Sequence, residues 1–292
     1  MQSDNASQQD GNIAIVVGRG QLPGELVAGL MAKGRSPVLV GIEGETEPWL
    51  ENFEHKVFAW GQLGAFFKHL KQSGVRQVLL AGSVTRPKIE LSKMDMGAMA
   101  SLPRVMAFMI GGDNSLLSGV IDLFGSKGIE VLGVHDVLPE LLAEKGKIAG
   151  ATPSRTAKRN IEKAFEACKL LGKLDIGQAA VAVGGRVVAV EGIEGTDGML
   201  ERVAGMRASG RLYENGTHGV LVKTMKPGQD MRADLPAIGP KTIEMISAAG
   251  LRGVAIEAGH SLVLARSETL SAAKREGVFI HGMETAQGAW DA

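Results

Sequence analysis

Short apolar runs, separated by helical patterns, constrain the fold of the first half of the chain more than any other feature. They are IAIVVG (13–18), PVLVGI (37–42), KVFAW (56–60), QVLLAG (77–82) and IEVLGV (129–134). Strands that are apolar along their whole length are buried on both faces, which is typical of a parallel sheet covered by helices. The first half is therefore predicted to be a Rossmann-like α/β domain.

The second half has a different pattern. The segment 146–158 is basic, contains glycine and proline and has few apolar residues, which indicates a linker. An amphipathic helix, IEKAFEACKLLGKL, and a hairpin around Gly184-Gly185 come next, followed by further strands and helices. We therefore predict an N-terminal Rossmann-like nucleotide- or ligand-binding domain (12–145), this linker, and a C-terminal α/β catalytic domain (159–292).

Composition excludes several classes of protein. The chain has 32 basic and 32 acidic residues, so it lacks the net positive charge that nucleic-acid binding requires. Aromatic residues make up only 4%, which argues against a base-stacking surface. No apolar run reaches the roughly 18 residues of a membrane-spanning helix. The single cysteine, Cys168, cannot form an intrachain disulfide and is interpreted as a buried helix residue. These features favour a cytoplasmic protein with no nucleic-acid partner.

The stretch VVGRGQLP resembles a strand followed by a phosphate-binding turn. Gly18 and Gly20 allow backbone N–H groups to approach an anion, and the next helix adds its dipole. Glu43 follows the second strand, where a dinucleotide-binding fold places a ribose-binding acid. However, Pro23 replaces the third glycine of that motif, and Arg19 is unusual beside a pyrophosphate. The turn is compatible with a nucleotide site and also with a tight turn that binds nothing.

Two further motifs are candidates for ligand contacts, and the first of them lies at the carboxyl end of a strand, where an open parallel sheet gathers its ligands. In AGSVTRP, the side chains of Ser83, Thr85 and Arg86 follow a strand and are predicted to meet a phosphate or sugar hydroxyls, unless this is an ordinary surface loop. In GGDNSLLSG, Asp113 begins a helix, and N-terminal capping is by itself a sufficient explanation for that residue.

The stretch EGIEGTDGML gathers three carboxylates at a strand-to-helix turn. Thr196 or Asp197 can cap the following helix, which leaves Glu191 and Glu194 without an explanation. Carboxylates clustered on a turn are natural ligands of hard cations, and Mg²⁺ usually takes one or two of them together with substrate phosphate. The turn is therefore a candidate cation site.

The stretch KTMKPGQDMRADLPAIG carries both charge signs in a segment whose prolines and glycines prevent a regular helix or strand. Lys223, Lys226 and Arg232 are phosphate-pairing cations, while Asp230 and Asp234 can hold a metal or orient water. A solvated charged loop explains the charges but not the apolar, rigid residues beside them. Together with the carboxylate turn, the segment indicates metal-assisted phosphoryl or nucleotidyl hydrolysis.

Five stretches occur along the chain in a fixed order: GRGQLP, AGSVTRP, GGDNSLL, DIGQAAVAV…AVEGIEGTDGML and KPGQDMRADLPAIGPKTI. They resemble the UDP-2,3-diacylglucosamine pyrophosphatases of the LpxI type, from about Asn12 to near the C-terminus. The resemblance implies a two-domain α/β enzyme of lipid A biosynthesis that holds its ligand between the domains. It implies hydrolysis of UDP-2,3-diacylglucosamine to UMP and 2,3-diacylglucosamine 1-phosphate (lipid X), aided by a divalent cation, Mg²⁺.

The resemblance and the motifs described above together give expected roles for individual residues. Asp230 is expected to matter most for catalysis, with Asp234 and Arg232, and the metal ligands are expected to be Asp197, Asp230 and Glu194. The expected substrate contacts are Gly18, Arg19, Gly20, Gln21, Leu22, Ser83, Thr85, Arg86, Asp113, Thr196, Lys223, Lys226 and Gln229. This chain departs from the family pattern in two places, because Arg19 replaces the middle of three glycines and Asn114 replaces the second of two aspartates.

A substrate with two acyl chains implies an apolar cleft and transient contact with a membrane surface, at the periphery of the inner membrane. The methionine-rich segment 91–112 is a candidate wall of that cleft, although helical spacing favours core positions for most of its methionines. A homodimer is left open. Two alternatives also stay open: an NAD(P)-dependent oxidoreductase, and a non-catalytic regulator that binds a nucleotide sugar or a lipid.

Overall fold

The structure, a computed structural model, describes residues 11–85, 94–109, 113–212 and 219–284. Its chain divides into two compact units. The first takes in the chain up to Pro139 together with Asp230–Ala233, and the second comprises Glu140–Gln229 and the chain from Asp234 onward.

The first unit is built on a five-stranded sheet. Its strands are β1 (Asn12–Val17), β2 (Val38–Ile42), β3 (His55–Phe58), β4 (Val75–Ala81) and β5 (Glu130–Leu132). Its helices are α1 (Leu22–Ala32), α2 (Leu63–Gln72), α3 (Met96–Met109), α4 (Asp113–Gly125) and α5 (Val134–Val137), with 3-10 turns at Pro48–Asn52 and Pro139–Leu141. The strand order is β3-β2-β1-β4-β5, and every pairing is parallel.

The core of this unit explains why its strands are so apolar. Ala14 and Val16 of β1 are buried in a cluster with Phe58, Phe66 and other side chains, and those two rings meet edge to face. The chain runs from β1 outward to β2 and β3, then returns to the other side of β1 at β4. In open parallel sheets, ligands bind at such a switch point. The predicted Rossmann-like domain is confirmed.

The second unit contains a mixed sheet. Its strands are β6 (Gly146–Ala149), β7 (Ala179–Val183), β8 (Arg186–Val190), β9 (Val220–Lys223), β11 (Gly253–Glu257) and β13 (Phe279–Met283), in the order β6-β13-β11-β9-β7-β8. Two short strands, β10 (Ala237–Ile238) and β12 (Leu262–Val263), form a separate parallel pair. The helices are α6 (Arg155–Lys173), α7 (Gly195–Ala208), α8 (Pro240–Ala248) and α9 (Arg266–Glu276).

Helices cover both faces of this sheet. On one face, the buried stripe of α6, which includes Ile161 and Cys168, packs against Ala180 and Val222. On the other face, α7, α8 and α9 enclose a second cluster. Burial raises the pKa of the Cys168 thiol to about 12, as expected for an inert core cysteine. The predicted second α/β domain is confirmed.

Two local features of this unit bear on the sequence predictions. The hairpin between β7 and β8 turns at Gly184 and Gly185, whose φ values of 60° and 78° suit a two-residue turn of glycines. The segment 146–158, predicted as a linker, contains β6, which pairs with β13, and the first residues of α6, which Ser154 caps. No helix in the described part of the chain is long and apolar enough to cross a membrane.

Candidate active site

The glycine turn lies at the switch point of the first sheet. Arg19 and Ser83 exchange two backbone hydrogen bonds, so the loops after β1 and β4 are tied together. The two backbones approach so closely that side chains are excluded. A Cβ on Gly18 would lie 2.7 Å from the carbonyl oxygen of Ser83, and one on Gly82 would lie 2.5 Å from that of Arg19. The glycines at this point are therefore explained by packing alone.

Acidic residues after β2 close the other side of the turn. The Arg19 guanidinium donates to the Gly44 carbonyl oxygen at 2.7 Å. Its Nε lies 3.2 Å from Glu45 Oε2, but the two groups are not aligned as a hydrogen bond. The Gly20 N–H donates to Glu47 Oε1 at 3.2 Å. The Gly20 N–H group, which was predicted to bind a phosphate, thus donates its hydrogen bond to the carboxylate of Glu47.

Sequence reasoning missed Glu45 and Glu47. Both belong to the GETE stretch directly after the second strand. The sequence pattern pointed instead to Glu43, which is exposed. Because the carboxyl ends of β1, β2 and β4 are neighbours in the sheet, charged residues after any of them meet the turn.

The other predicted contacts in the first unit have diverse positions. Gln21 occupies the N-cap position of α1 without a side-chain capping bond, and Leu22 begins that helix. Ser83 and Thr85 are exposed. Arg86 lies outside the described residues, and so does the side chain of Asp113.

Asp230 and Arg232 form a two-pronged ion pair. Arg232 Nε donates to Oδ1 of Asp230 at 2.9 Å and Nη2 donates to Oδ2 at 2.6 Å, while the Arg232 backbone N–H also donates to Oδ1. These bonds, chiefly the one from the guanidinium, lower the pKa of Asp230. Asp230 is therefore an ionised acceptor at neutral pH and a weak base.

His135 is a second residue that the sequence did not single out. It belongs to α5, its Nε2 lies 3.5 Å from Asp136 Oδ1, and its buried Nδ1 has no hydrogen-bond partner among the described residues. A positive charge on His135 further lowers the pKa of Asp230, so the two side chains are electrostatic neighbours. The stretch VHDV matches no catalytic motif, which is why the sequence gave no sign of it.

The base of the charged loop is held by its own side chains. Lys223 Nζ donates to the carbonyl oxygen of Ala237 at 3.0 Å, which joins the two ends of the loop. Lys223 is only 7% exposed, and burial lowers its pKa. Gln229 Nε2 donates to Asp234 Oδ2 at 2.6 Å. These contacts argue against the solvated-loop interpretation, because several of the polar groups are buried.

Lys226 also has a partner within the second unit. Its Nζ donates to Asp175 Oδ1 at 2.8 Å, and its side chain is 11% exposed. Both lysines that the sequence assigned to phosphate therefore hold the loop in this structure. Asp175 was not predicted, since nothing in the sequence connects it to a residue 51 positions away.

The carboxylates of the EGIEGTDGML turn have separate partners. Buried Glu191 accepts from the Thr196 hydroxyl at 2.6 Å and from the Gln178 N–H at 2.8 Å. Glu194 pairs with Arg202, and Lys241 donates to Asp197 at 2.7 Å. A surface cavity of ≈ 570 Å³ lies beside this turn, lined by Ile176, Val190, Glu191, Gly192, Glu194, Gly198 and Arg202.

The predicted metal ligands do not form a cage within the described part of the chain. No group of three or more His, Cys, Asp or Glu there is placed to hold a metal ion. Asp197, Asp230 and Glu194 are each paired with a cationic side chain. Mg²⁺ commonly takes only one or two carboxylates and completes its shell with substrate phosphate and water, so a protein cage is not a requirement of its chemistry.

Comparison with known proteins gives matches along nearly the whole chain. Residues 12–141 match the family model of the LpxI N-terminal domain, and residues 144–281 match that of the LpxI C-terminal domain. The chain is 36% identical over 272 residues to the UDP-2,3-diacylglucosamine pyrophosphatase LpxI of Caulobacter vibrioides. The aligned residues cover 93% of this chain and 97% of that relative. The chain belongs to the LpxI family.

Proposed function

We propose that this chain hydrolyses the pyrophosphate bond of UDP-2,3-diacylglucosamine, giving UMP and 2,3-diacylglucosamine 1-phosphate, as a step of lipid A biosynthesis. The observation that carries the proposal is the match to a relative of that name over 93% of the chain. The oxidoreductase alternative has little support, because the Gly20 N–H that would meet a dinucleotide pyrophosphate is bonded to the carboxylate of Glu47.

In the proposed reaction, the oxygen of a water molecule forms a bond to the phosphorus nearer the sugar. The bond from that phosphorus to the bridging oxygen breaks, and UMP leaves with the bridging oxygen. A proton of the water passes to solvent. Asp230 is the residue we place beside the reacting atoms, where its ionised carboxylate would orient the water or hold a cation. Arg232 keeps that carboxylate ionised and fixed in direction.

We also propose that the reaction uses a divalent cation, Mg²⁺. Such a cation would neutralise charge on the pyrophosphate oxygens, with substrate oxygens supplying most of its ligands. Of the two roles given for Asp230, only that of holding a cation depends on it, and the role of Arg232 does not. Activity that persists in full after treatment with EDTA would contradict this part of the proposal.

The predicted substrate contacts fall in both units, and we propose that both units bind the substrate. Arg19 and Ser83 represent the first unit, and Thr196 the second. Substitution of either Arg19 or Thr196 is then expected to raise KM more than it lowers kcat, because neither residue is proposed to act at the reacting phosphorus.

A UMP-release assay on UDP-2,3-diacylglucosamine tests the function directly. Asp230→Asn and Asp230→Ala are expected to lower kcat by about 100-fold or more while the substrate still binds. Glu268→Gln, which neutralises an exposed carboxylate of α9, serves as the matched control and should keep wild-type activity. Equal UMP release by the wild type and Asp230→Ala would overturn the role of Asp230. Failure of the wild type to release UMP with Mg²⁺ present would overturn the function and favour a binding regulator.

Hydrolysis in ¹⁸O-labelled water tests the site of attack. Attack at the phosphorus nearer the sugar places the label in 2,3-diacylglucosamine 1-phosphate, which mass spectrometry of both products detects. Label in UMP instead would mean that water attacks the other phosphorus.

A further inference from the structure

The second unit exposes a set of large apolar side chains that neither core cluster absorbs. We call it the α6–β8 surface, and it consists of Leu170, Leu174, Ile176, Val187, Val190 and Ile193. Leu174 is 71% exposed, and Ile193 projects fully into solvent from the loop after β8. Single exposed apolar residues are ordinary, but a contiguous group of them marks an interaction site.

The α6 part of this surface is continuous with the β8 part. Leu170 lies in the last turn of α6, and Leu174, four residues later, is its C-cap residue. Ile176 and Val190 line the same cavity. A Cβ on Gly177 would lie 2.4 Å from the carbonyl oxygen of Glu191, so the chain after α6 runs directly against the chain after β8.

The two valines of β8 face the same way as α6. Val187 and Val190 pair with Ala182 and Ala180 of β7, and both alanines lie in the cluster beneath α6. Residues opposite each other in an antiparallel pair share a face of the sheet. Since β8 is the last described strand at its end of the sheet, no other described strand pairs with its outer edge.

The charge around this surface is positive. Helix α6 carries six basic and two acidic residues, in a chain whose basic and acidic residues are equal in number. Carboxylates at or beside the surface are paired with cations: Glu166 with Lys163, Asp175 with Lys226 and Glu194 with Arg202. Lys173 is exposed among the apolar residues. The surface therefore combines apolar side chains with a net basic border.

We propose that the α6–β8 surface docks on an anionic phospholipid bilayer. Its leucine, isoleucine and valine side chains enter the boundary between headgroups and acyl chains, while the basic residues of α6 lie against lipid phosphates. A second copy of the chain fits this surface less well, because two basic α6 helices would meet face to face. The proposal is separate from the proposed catalytic function, since it requires no substrate in the bilayer.

Vesicle flotation of the full chain tests the docking. We expect binding to vesicles that contain phosphatidylglycerol and little binding to pure phosphatidylcholine. Raising the ionic strength from about 0.1 M to about 1 M shortens the Debye length from about 10 Å to about 3 Å and should weaken the binding. The triple variant Leu174→Ser, Ile176→Ser, Ile193→Ser is expected to lower the partition coefficient by about 1000-fold, because each lost side chain contributes about tenfold.

Matched variants separate docking from folding and from self-association. Met31→Ser removes an apolar side chain on α1 that is as exposed as Ile176 and should leave flotation unchanged. If circular dichroism shows that the triple variant does not fold, flotation of Ile193→Asp replaces it as the test. The Ile193 side chain is fully exposed, so its substitution should not affect folding. The proposal would be overturned if the tested variant floated with vesicles as the wild type does. It would also be overturned if the wild type bound phosphatidylcholine and phosphatidylglycerol vesicles equally. A variant that changes only the mass measured by light scattering would show that a second copy covers the surface.

The catalytic function is read separately, by UMP release from detergent-dispersed substrate. The surface variants should keep wild-type turnover in that assay and lose activity only when the substrate is embedded in vesicles. Loss of docking and loss of catalysis are thus distinguishable outcomes.

Discussion

The glycine turn after β1 and the charged loop from Lys223 to Ala237 both gather ionic groups at a predicted site, but they use them differently. In the turn, Arg19 is 53% exposed and connects the ends of neighbouring strands from the solvent side. In the loop, Lys223 is buried and joins the two ends of the loop from within. Exposed ion pairs contribute little to stability, whereas losing one partner of a buried polar contact is costly. Removing a single cationic side chain should therefore lower the free energy of unfolding much more in the loop than in the turn.

The largest effect on stability is expected for Lys223→Met. This change keeps the length of the side chain but leaves the Ala237 carbonyl oxygen and the nearby carboxylates without their cation. The free energy of unfolding should fall by about 1.5–3 kcal/mol, the usual size for a hydrogen bond to a charged group. Urea denaturation measures it, and kcat should fall as well because the loop base loosens.

Lys241→Met is the control for Lys223→Met, because Lys241 also binds a carboxylate but is exposed. It should leave the free energy of unfolding unchanged. If Lys223→Met also left the free energy of unfolding unchanged, the burial of Lys223 would not make the loop more sensitive than the turn.

An intermediate effect is expected for Arg232→Met, and it should depend on pH. The Arg232 guanidinium lowers the pKa of Asp230, so its contribution to stability is present above the ordinary pKa of aspartate and is lost as pH falls through the lowered value. Removing the guanidinium raises that pKa, and the acid limb of kcat/KM should move to higher pH. Arg232→Lys, which keeps the charge but not the two-pronged bond, should move it less. An unchanged pH profile would separate Asp230 from catalysis.

The smallest effect is expected for Arg19→Met. Arg19 is half exposed although Glu45 is buried, so water screens the pair, and it should contribute about 1 kcal/mol to the free energy of unfolding, which high salt should reduce. A double-mutant cycle with Glu45→Gln measures the coupling between the two side chains. A coupling of several kcal/mol would show that the turn is braced as strongly as the loop.

The methionine-rich segment corrects one expectation in the first unit. Core positions were favoured for most of its methionines, but Met96, Met99 and Met106 of α3 are exposed. The helical spacing was correct, since α3 spans Met96–Met109. Spacing places side chains on one face of a helix, but only the packing of neighbouring elements decides whether that face is covered.

The sequence by itself determined the local structure and the family. Continuous apolar strands separated by helices were enough to predict the parallel sheet of the first unit, because that pattern reflects burial on both faces. Paired glycines predicted the hairpin between β7 and β8, because few other residues tolerate its backbone angles. The two long C-terminal motifs were enough to identify the family. All of these signals lie within short stretches of chain.

Only the tertiary structure decided what each charged side chain contacts. Sequence placed Lys223, Lys226 and the three predicted metal carboxylates in one chemical set, whereas the fold gives each a partner that lies up to 51 positions away. It also places Glu47 on the glycine turn and His135 near Asp230. The role of a charge depends on its burial and on the distance to its partner, and both are set by packing between segments that the sequence does not show to be neighbours.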